Sequence, residues 1–218
     1  MKSGFLDNLT LKTLLAPATE EAFRSHHWER APLVVHRGDP DYYGDLFTLA
    51  DFDRAIASAP AKVVTAEAAT GKYTRYEGKT ASIPFERILD DMRDGTTLLL
   101  EHLQFSEQKL GLLCRLLEQE LGHRFQTNIY LTPPHGRGLT PHWDDHDVFI
   151  LQVLGSKHWK IEKRRRKFPS IPEQMGEEGR ELAPDVDSFT LNQGPSSATR
   201  VCATHSRLDS CMSTGGSL

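Results

Sequence analysis

Apolar residues mark out the chain's elements before any chemistry is considered. Leu110, Leu113, Cys114, Leu117 and Leu121 recur at intervals of three and four, which predicts a helix over 106–121 with one buried stripe, ended by Gly122. Thr48-Leu49-Ala50-Asp51 reads as a capping box opening a helix through Ile56, with Asp where Glu or Gln is usual. Ser82-Ile83-Pro84-Phe85-Glu86 begins another helix, with Ile88, Leu89 and Met92 on one side and Gly95 stopping it. A short helix starts at Thr19-Glu20-Glu21 and ends before Pro32.

Between these lie strand patterns. Leu33-Val34-Val35 and Thr96 to Leu100 are β-rich, and residues 60–81 hold small strands around the turns Thr70-Gly71-Lys72 and Glu77-Gly78-Lys79. Phe125 to Leu131 alternates, placing Phe125, Thr127, Ile129 and Leu131 on one face and Gln126, Asn128 and Tyr130 on the other. Val148 to Leu154 is a continuous apolar run bounded by Gly155-Ser156, the pattern of a strand buried on both faces followed by a turn. A further strand then carries Lys157, His158, Trp159, Lys160 and Ile161, and Ser188 to Leu191 reads as another.

At 218 residues one domain is expected, with chain enough for a sizeable core. A formal charge of −4 does not announce a nucleic-acid binder, and no run of 18 apolar residues exists to span a membrane. Cys114, Cys202 and Cys211 form no zinc spacing, and an odd count argues against a disulfide framework, so a reducing compartment is expected: cytoplasmic, or nuclear in a eukaryote. Cys114 lies on the helical stripe and reads as a buried structural thiol. His26 and His27, adjacent on a helix, do not share a face and read as surface residues.

Candidate chemistry concentrates at His142-Trp143-Asp144. On an extended strand, residues i and i+2 project to the same side, so His142 and Asp144 can offer a nitrogen and an oxygen to one metal ion. That is two thirds of a 2-His-1-carboxylate facial triad, whose open positions suit non-haem Fe(II). The bare tripeptide is weak, and a solvated His and Asp at a strand end is its bland account. The surroundings shift the balance. A Pro/Gly loop, Pro133-Pro134-His135-Gly136-Arg137-Gly138, delivers the chain into the pair. Asp144, Asp145, His146 and Asp147 then crowd the mouth of an apolar strand, which is costly unless something binds them.

At these residues the segment resembles the JmjC-type, cupin-fold ribosomal oxygenases. Their pattern N-x-Y-x-T-P, a Gly-rich loop, P-H-x-D and D/E-x-F-x-L-Q-x-x-G-x-K-x-W is matched by Asn128, Tyr130, Thr132-Pro133, Pro141-His142-Trp143-Asp144, Asp147, Phe149, Leu151-Gln152, Gly155, Lys157 and Trp159. Trp28 to Leu33 and Gly38 to Tyr43 look like the family's N-terminal lead-in, and the likeness covers roughly residues 14 to 194. The resemblance implies a mainly β fold with flanking helices, a double-stranded β-helix (cupin/JmjC barrel) occupying 1–194 and incomplete at its C-terminal end. It also implies Fe(II) and 2-oxoglutarate as cofactors, with His142 and Asp144 on the metal and Lys157 pairing with the co-substrate's distal carboxylate. Asn128 and Tyr130 would line the substrate cleft, with Trp143 a further candidate for holding the target. The implied activity is hydroxylation of an Arg or His side chain of a ribosomal protein.

After Gly194 the likeness stops. The family's distal His sits in a motif like G-D-x-x-Y-x-P-x-G-x-x-H, but here Pro195-Ser196-Ser197-Ala198-Thr199-Arg200 follows. Residues 195–218 are Ser/Thr/Gly-rich with no aromatic residue, which predicts a disordered tail without strands and suggests an altered reading frame or splice-variant end. His205 stands about where a third ligand is expected, without the motif around it. Lys163-Arg164-Arg165-Arg166-Lys167 is a candidate for weak rRNA contact or nuclear, even nucleolar, import, with a solvated loop as the blander account. The family's dimerisation region has no counterpart in this sequence. Two rivals to the oxygenase stay open: a catalytically inactive truncated JmjC protein, and a non-oxygenase metal-binding cupin.

Overall fold

The computed structural model describes residues 4–37, 39, 41–58, 62–67, 72–76, 85–134, 136, 139, 146–162, 186–192 and 197–202. Its helices form where capping and periodicity demand them. In α1 (Leu11–Leu15) the Thr13 N–H donates to Thr10 Oγ1 at 3.0 Å and the Thr10 N–H donates back to Thr13 Oγ1 at 2.9 Å. This reciprocal cap closes the N-terminal end of a helix whose Leu11, Leu14 and Leu15 are fully buried. After the short α2 (Glu20–Ala22), the same box opens α3 (Leu49–Ala57), with Asp51 as the reciprocating acid. α4 spans Phe85–Arg93, and α5 (Gln108–Leu121) buries Leu110, Leu113, Cys114 and Leu117. Gly122 ends α5 in the left-handed region, φ 73°, its N–H donating to Glu118 O at 3.0 Å.

The strands make two sheets. One is wholly antiparallel: β2 (Lys62–Glu67) pairs with both β3 (Lys72–Tyr76) and β4 (Thr97–Glu101), and β4 pairs with β5 (Ile129–Leu131), giving the order β3-β2-β4-β5. The other joins β1 (Pro32–Arg37), β9 (Ser197–Cys202), β8 (Val186–Asn192) and β7 (Ser156–Glu162) in that order, with β6 (Val148–Leu151) also paired to β9. β6 and β7 do not pair with each other. Between them Gln152 Nε2 donates to Leu154 O at 2.7 Å, and Gly155, at φ 64°, turns the chain away from the β6 edge.

Two expectations need correction, and a third, the incomplete double-stranded β-helix, is met only as far as two small sheets. Among the described residues the sheets stay separate and no closed barrel forms. The fold is less predominantly β than expected, because α1, α3 and α5 contribute Leu11, Leu14, Phe52, Leu110 and Leu117 to the same core as the strands. The stretch 195–218, expected to lack strands, supplies β9: Leu33↔Val201 and Phe149↔Val201 pair it to β1 and β6 at once. Its polar composition hides this, since two exposed sheet edges supply backbone partners that local sequence does not encode.

The core runs through Leu98, Leu100, Leu103, Phe23 and Phe47, flanked by Tyr42 and Tyr43, whose rings lie 4.6 and 5.5 Å from the buried Arg37 guanidinium. Burial raises the Tyr43 phenol's pKa far above its ordinary value, against the opposing pull of Arg37. β4 lies in the middle of this packing and carries β5 at its side, which places Tyr130 at the wall of a cavity.

Candidate active site

A cavity of about 2160 Å³ opens between β5, β6 and β7, lined among others by Asn128, Tyr130, His146, Asp147, Lys157 and Trp159. Alternation along β7 decides what enters it. Lys157, Trp159 and Ile161 share one face; Lys157 is 9% exposed and Ile161 is buried. His158 and Lys160 take the other face, where the His158 ring bonds the hydroxyls of Ser188 at 2.7 Å and Thr190 at 3.1 Å. The Lys157 ammonium therefore points inward, 5.7 Å from the Tyr130 ring centre and 5.4 Å from that of Trp159.

Among the described residues no carboxylate forms an ion pair with Lys157. Two aromatic faces supply roughly 1–2 kcal/mol of attraction to a desolvated cation. Removing an ammonium from water costs several kcal/mol. Among the described residues the rings alone do not offset that cost, and an anion beside the ammonium would.

Tyr130 is 44% exposed, standing on the cavity face of β5, while its neighbours Ile129 and Leu131 pack against the core. The expected alternation holds over these residues, although the strand covers Ile129–Leu131 only and not the stretch from Phe125. Asn128 lines the cavity, and its Oδ1 accepts the His102 N–H at 3.2 Å. His102 sits in the left-handed region, φ 60°, so Asn128 helps hold a strained turn beside the cavity mouth. That job was not legible in the sequence.

The apolar run read as buried on both faces is half-buried along all of β6. Phe149 and Leu151 pack on the core; the cavity keeps the strand from being enclosed. At its head, Asp147 is half-buried and His146 exposed, and both line the cavity. His142, Trp143 and Asp144 lie outside the described residues, as do Lys163 to Lys167 and His205.

The other sequence candidates take structural places. The Cys114 thiol is buried with its sulfur 3.0 Å from Thr127 Oγ1, and burial pushes its pKa up, the setting of an inert thiol. His27 Nδ1 lies 3.0 Å from Pro32 O and His26 Nδ1 lies 2.8 Å from Ser25 Oγ, so both rings are engaged locally. Among the described residues no helix is long and apolar enough to cross a membrane. The residue that sequence reasoning left unassigned is Trp159. Its place in K-x-W, two residues from Lys157 on one strand face, was the available signal.

The fold is shared with a known class. The JmjC domain family model matches residues 98–195, spanning β4 to the end of β8. Ribosomal oxygenase 1 of Gallus gallus is 35% identical over 164 residues, covering 73% of this chain and 27% of that protein. Ribosomal oxygenase 2 of Mus musculus is 30% identical over 158 residues, 69% of this chain and 34% of that one. In solved structures, Escherichia coli ycfD superposes with a TM-score of 0.55 at 18% identity, over 86% of this chain and 50% of that one. The same ribosomal oxygenase in complex with cobalt and 2-oxoglutarate gives 0.51 at 19% identity, over 86% and 49%. The fold is thus of the JmjC type. The chain belongs to the JmjC-type ribosomal oxygenase family, and it spans about a third or less of the curated relatives and about half of the solved chains.

Proposed function

We propose that this chain is the oxygenase domain of an Fe(II)- and 2-oxoglutarate-dependent hydroxylase acting on an Arg or His side chain of a ribosomal protein. The observation that carries this reading is the buried Lys157 ammonium, directed into a large cavity between aromatic faces and lacking a carboxylate partner among the described residues. A dicarboxylate co-substrate has the chemistry to fill that position: one carboxylate pairs with Lys157 in a dry setting where charge-assisted bonds are strong. Its other end would be held at the metal. A nitrogen from His142 and an oxygen from Asp144 are the donor set that suits Fe(II). Bound Fe(II) and 2-oxoglutarate would supply activation of dioxygen, the oxidant, with one oxygen atom entering the unactivated C–H bond and the other entering the co-substrate as it loses CO2 to become succinate.

The chain's own residues do the rest. Lys157 binds and orients the co-substrate, and the apolar faces of Leu99, Phe149 and Leu151 limit water around it. Tyr130, half-exposed at the wall, is placed to contact the target side chain, with Asn128 shaping the neighbouring turn. The two sheets are read as the walls of an incomplete double-stranded β-helix, with 1–194 as the domain. The basic run Lys163 to Lys167 is retained as a weak rRNA contact.

Anaerobic titration of the purified chain with Fe(II) and 2-oxoglutarate tests the reading through the metal-to-ligand charge-transfer band. A saturable band that disappears in Asp144→Ala and in Lys157→Met is expected. Absence of any band with both in excess defeats the oxygenase reading of this chain.

A further inference from the structure

We propose that Trp159 is a positioning residue for Lys157: its ring fixes the lysine ammonium at the spot where the co-substrate's distal carboxylate docks. The inference rests on the co-substrate reading above, but its geometry stands independently. Residues two apart on a strand face are about 6.6 Å apart along the strand, so Lys157 and Trp159 are neighbours by construction. The lysine chain bends along this face to bring Nζ within 5.4 Å of the Trp159 ring centre, inside the cation–π range, with Tyr130 completing the pair at 5.7 Å. Indole has the strongest negative face of the three aromatic rings, so Trp159 is the stronger of the two holds.

The floor beneath is apolar. Lys157 stands opposite the fully buried Leu191, and Trp159 opposite Phe189, in the β7–β8 register. Trp159 Nε1 is buried and has no hydrogen-bond partner among the described residues. Among the described residues the ring is thus held by packing and not by a polar anchor, and what it offers Lys157 is its π face. A four-carbon lysine stem left to itself samples many rotamers and seeks water. Confined against the ring, it meets an incoming carboxylate already in place, which removes an ordering cost from binding.

Two readouts test the inference. The first needs no co-substrate. In protein carrying 13C-labelled lysine, the Lys157 ε-methylene signal, assigned by its disappearance in Lys157→Arg, should be shifted upfield by ring current. It should move toward the position of a solvated lysine in Trp159→Leu and stay upfield in Trp159→Phe. An unshifted signal in the wild-type chain overturns the proposal, whether or not 2-oxoglutarate binds.

The second readout is calorimetric titration with 2-oxoglutarate in excess Mn(II) under nitrogen, with folding of each variant checked by thermal melting. Trp159→Leu should weaken binding about tenfold and Trp159→Phe should recover most of it. In the Lys157→Met background the Trp159→Leu change should add nothing, because Trp159 acts only through the lysine. Equal binding by wild type and Trp159→Leu, or additive losses in the double variant, overturns the positioning role while leaving the oxygenase reading standing. Failure of the wild type to bind 2-oxoglutarate at all counts against the oxygenase reading, and the lysine signal alone then decides the positioning role.

Discussion

β4 and β6 are both short apolar strands, and the chain treats them differently. In β4, Leu98 and Leu100 are 0% exposed and packed in the core, and Leu99, which touches the cavity, is still only 7% exposed. In β6 every residue from Val148 to Leu151 is half-buried, because all four line the cavity and only Phe149 and Leu151 also pack on the core. β4 contributes stability; β6 and its neighbour β7 give up some burial to enclose a volume. The buried cation, the half-exposed tyrosine and the acidic strand head all lie on the incompletely packed side. The proposed function sits where packing was withheld.

The contrast breaks most sharply at Lys157. Lys157→Met should reduce 2-oxoglutarate affinity by at least about a hundredfold, the usual scale for truncating one partner of a buried charge pair. The same change should leave thermal stability equal or higher, since it removes a buried ammonium that lacks a carboxylate partner among the described residues. Binding calorimetry and melting of one variant read both effects, and a large loss of stability would mean the lysine is structural.

On the packed side, Leu100→Ala should cost about 2–5 kcal/mol in urea unfolding, against about 1 kcal/mol for Ile150→Ala in the cavity wall. Equal costs would show that β6 is as enclosed as β4. Smaller still is the cap of α3. Thr48→Ala removes the acceptor of the Asp51 N–H bond at 3.2 Å and should cost about 1 kcal/mol, read by the same unfolding curves.

The smallest effect is a pH dependence. Burial pulls the Asp51 carboxyl up, but hydrogen bonds from Arg54 and from the Thr48 hydroxyl and N–H outweigh it and hold its pKa below the ordinary value. The unfolded state then takes up the proton first as pH falls. The carboxylate's contribution is complete above the unfolded value of about 3.9 and is lost as pH drops through the lower folded value. Melts between neutral and acidic pH should show this loss in the wild type and less of it in Asp51→Asn.

Much of this was legible locally. Thr48 and Asp51 announce a capping box, Gly122 a left-handed stop, and Leu110, Leu113 and Leu117 a stripe, because each depends on residues within one helical turn. What failed depended on distant partners. Ser197–Cys202 looks like a polar tail and becomes a strand only because β1 and β6 both offer it edges. Val148–Leu151 reads as fully buried because sequence does not show the cavity that all four residues line. The strand bearing Lys157 was legible, but beside His158 and Lys160 the lysine reads as solvated until β7 alternation separates it from them. Asn128 has its side-chain oxygen committed to the His102 backbone, a turn no short motif foretold.

The proposed function requires that one cavity serve both Lys157 and a metal held by His142 and Asp144. Mn(II) titration of the 15N-labelled chain, followed by paramagnetic broadening, tests it most directly. The account predicts early loss of the amide signals of Tyr130, His146 and Asp147, then of Lys157 and Trp159, while Leu14 and Leu15 in α1 persist. Broadening centred instead on His26 and His27, or on His102, with the β7 signals unchanged, would contradict it.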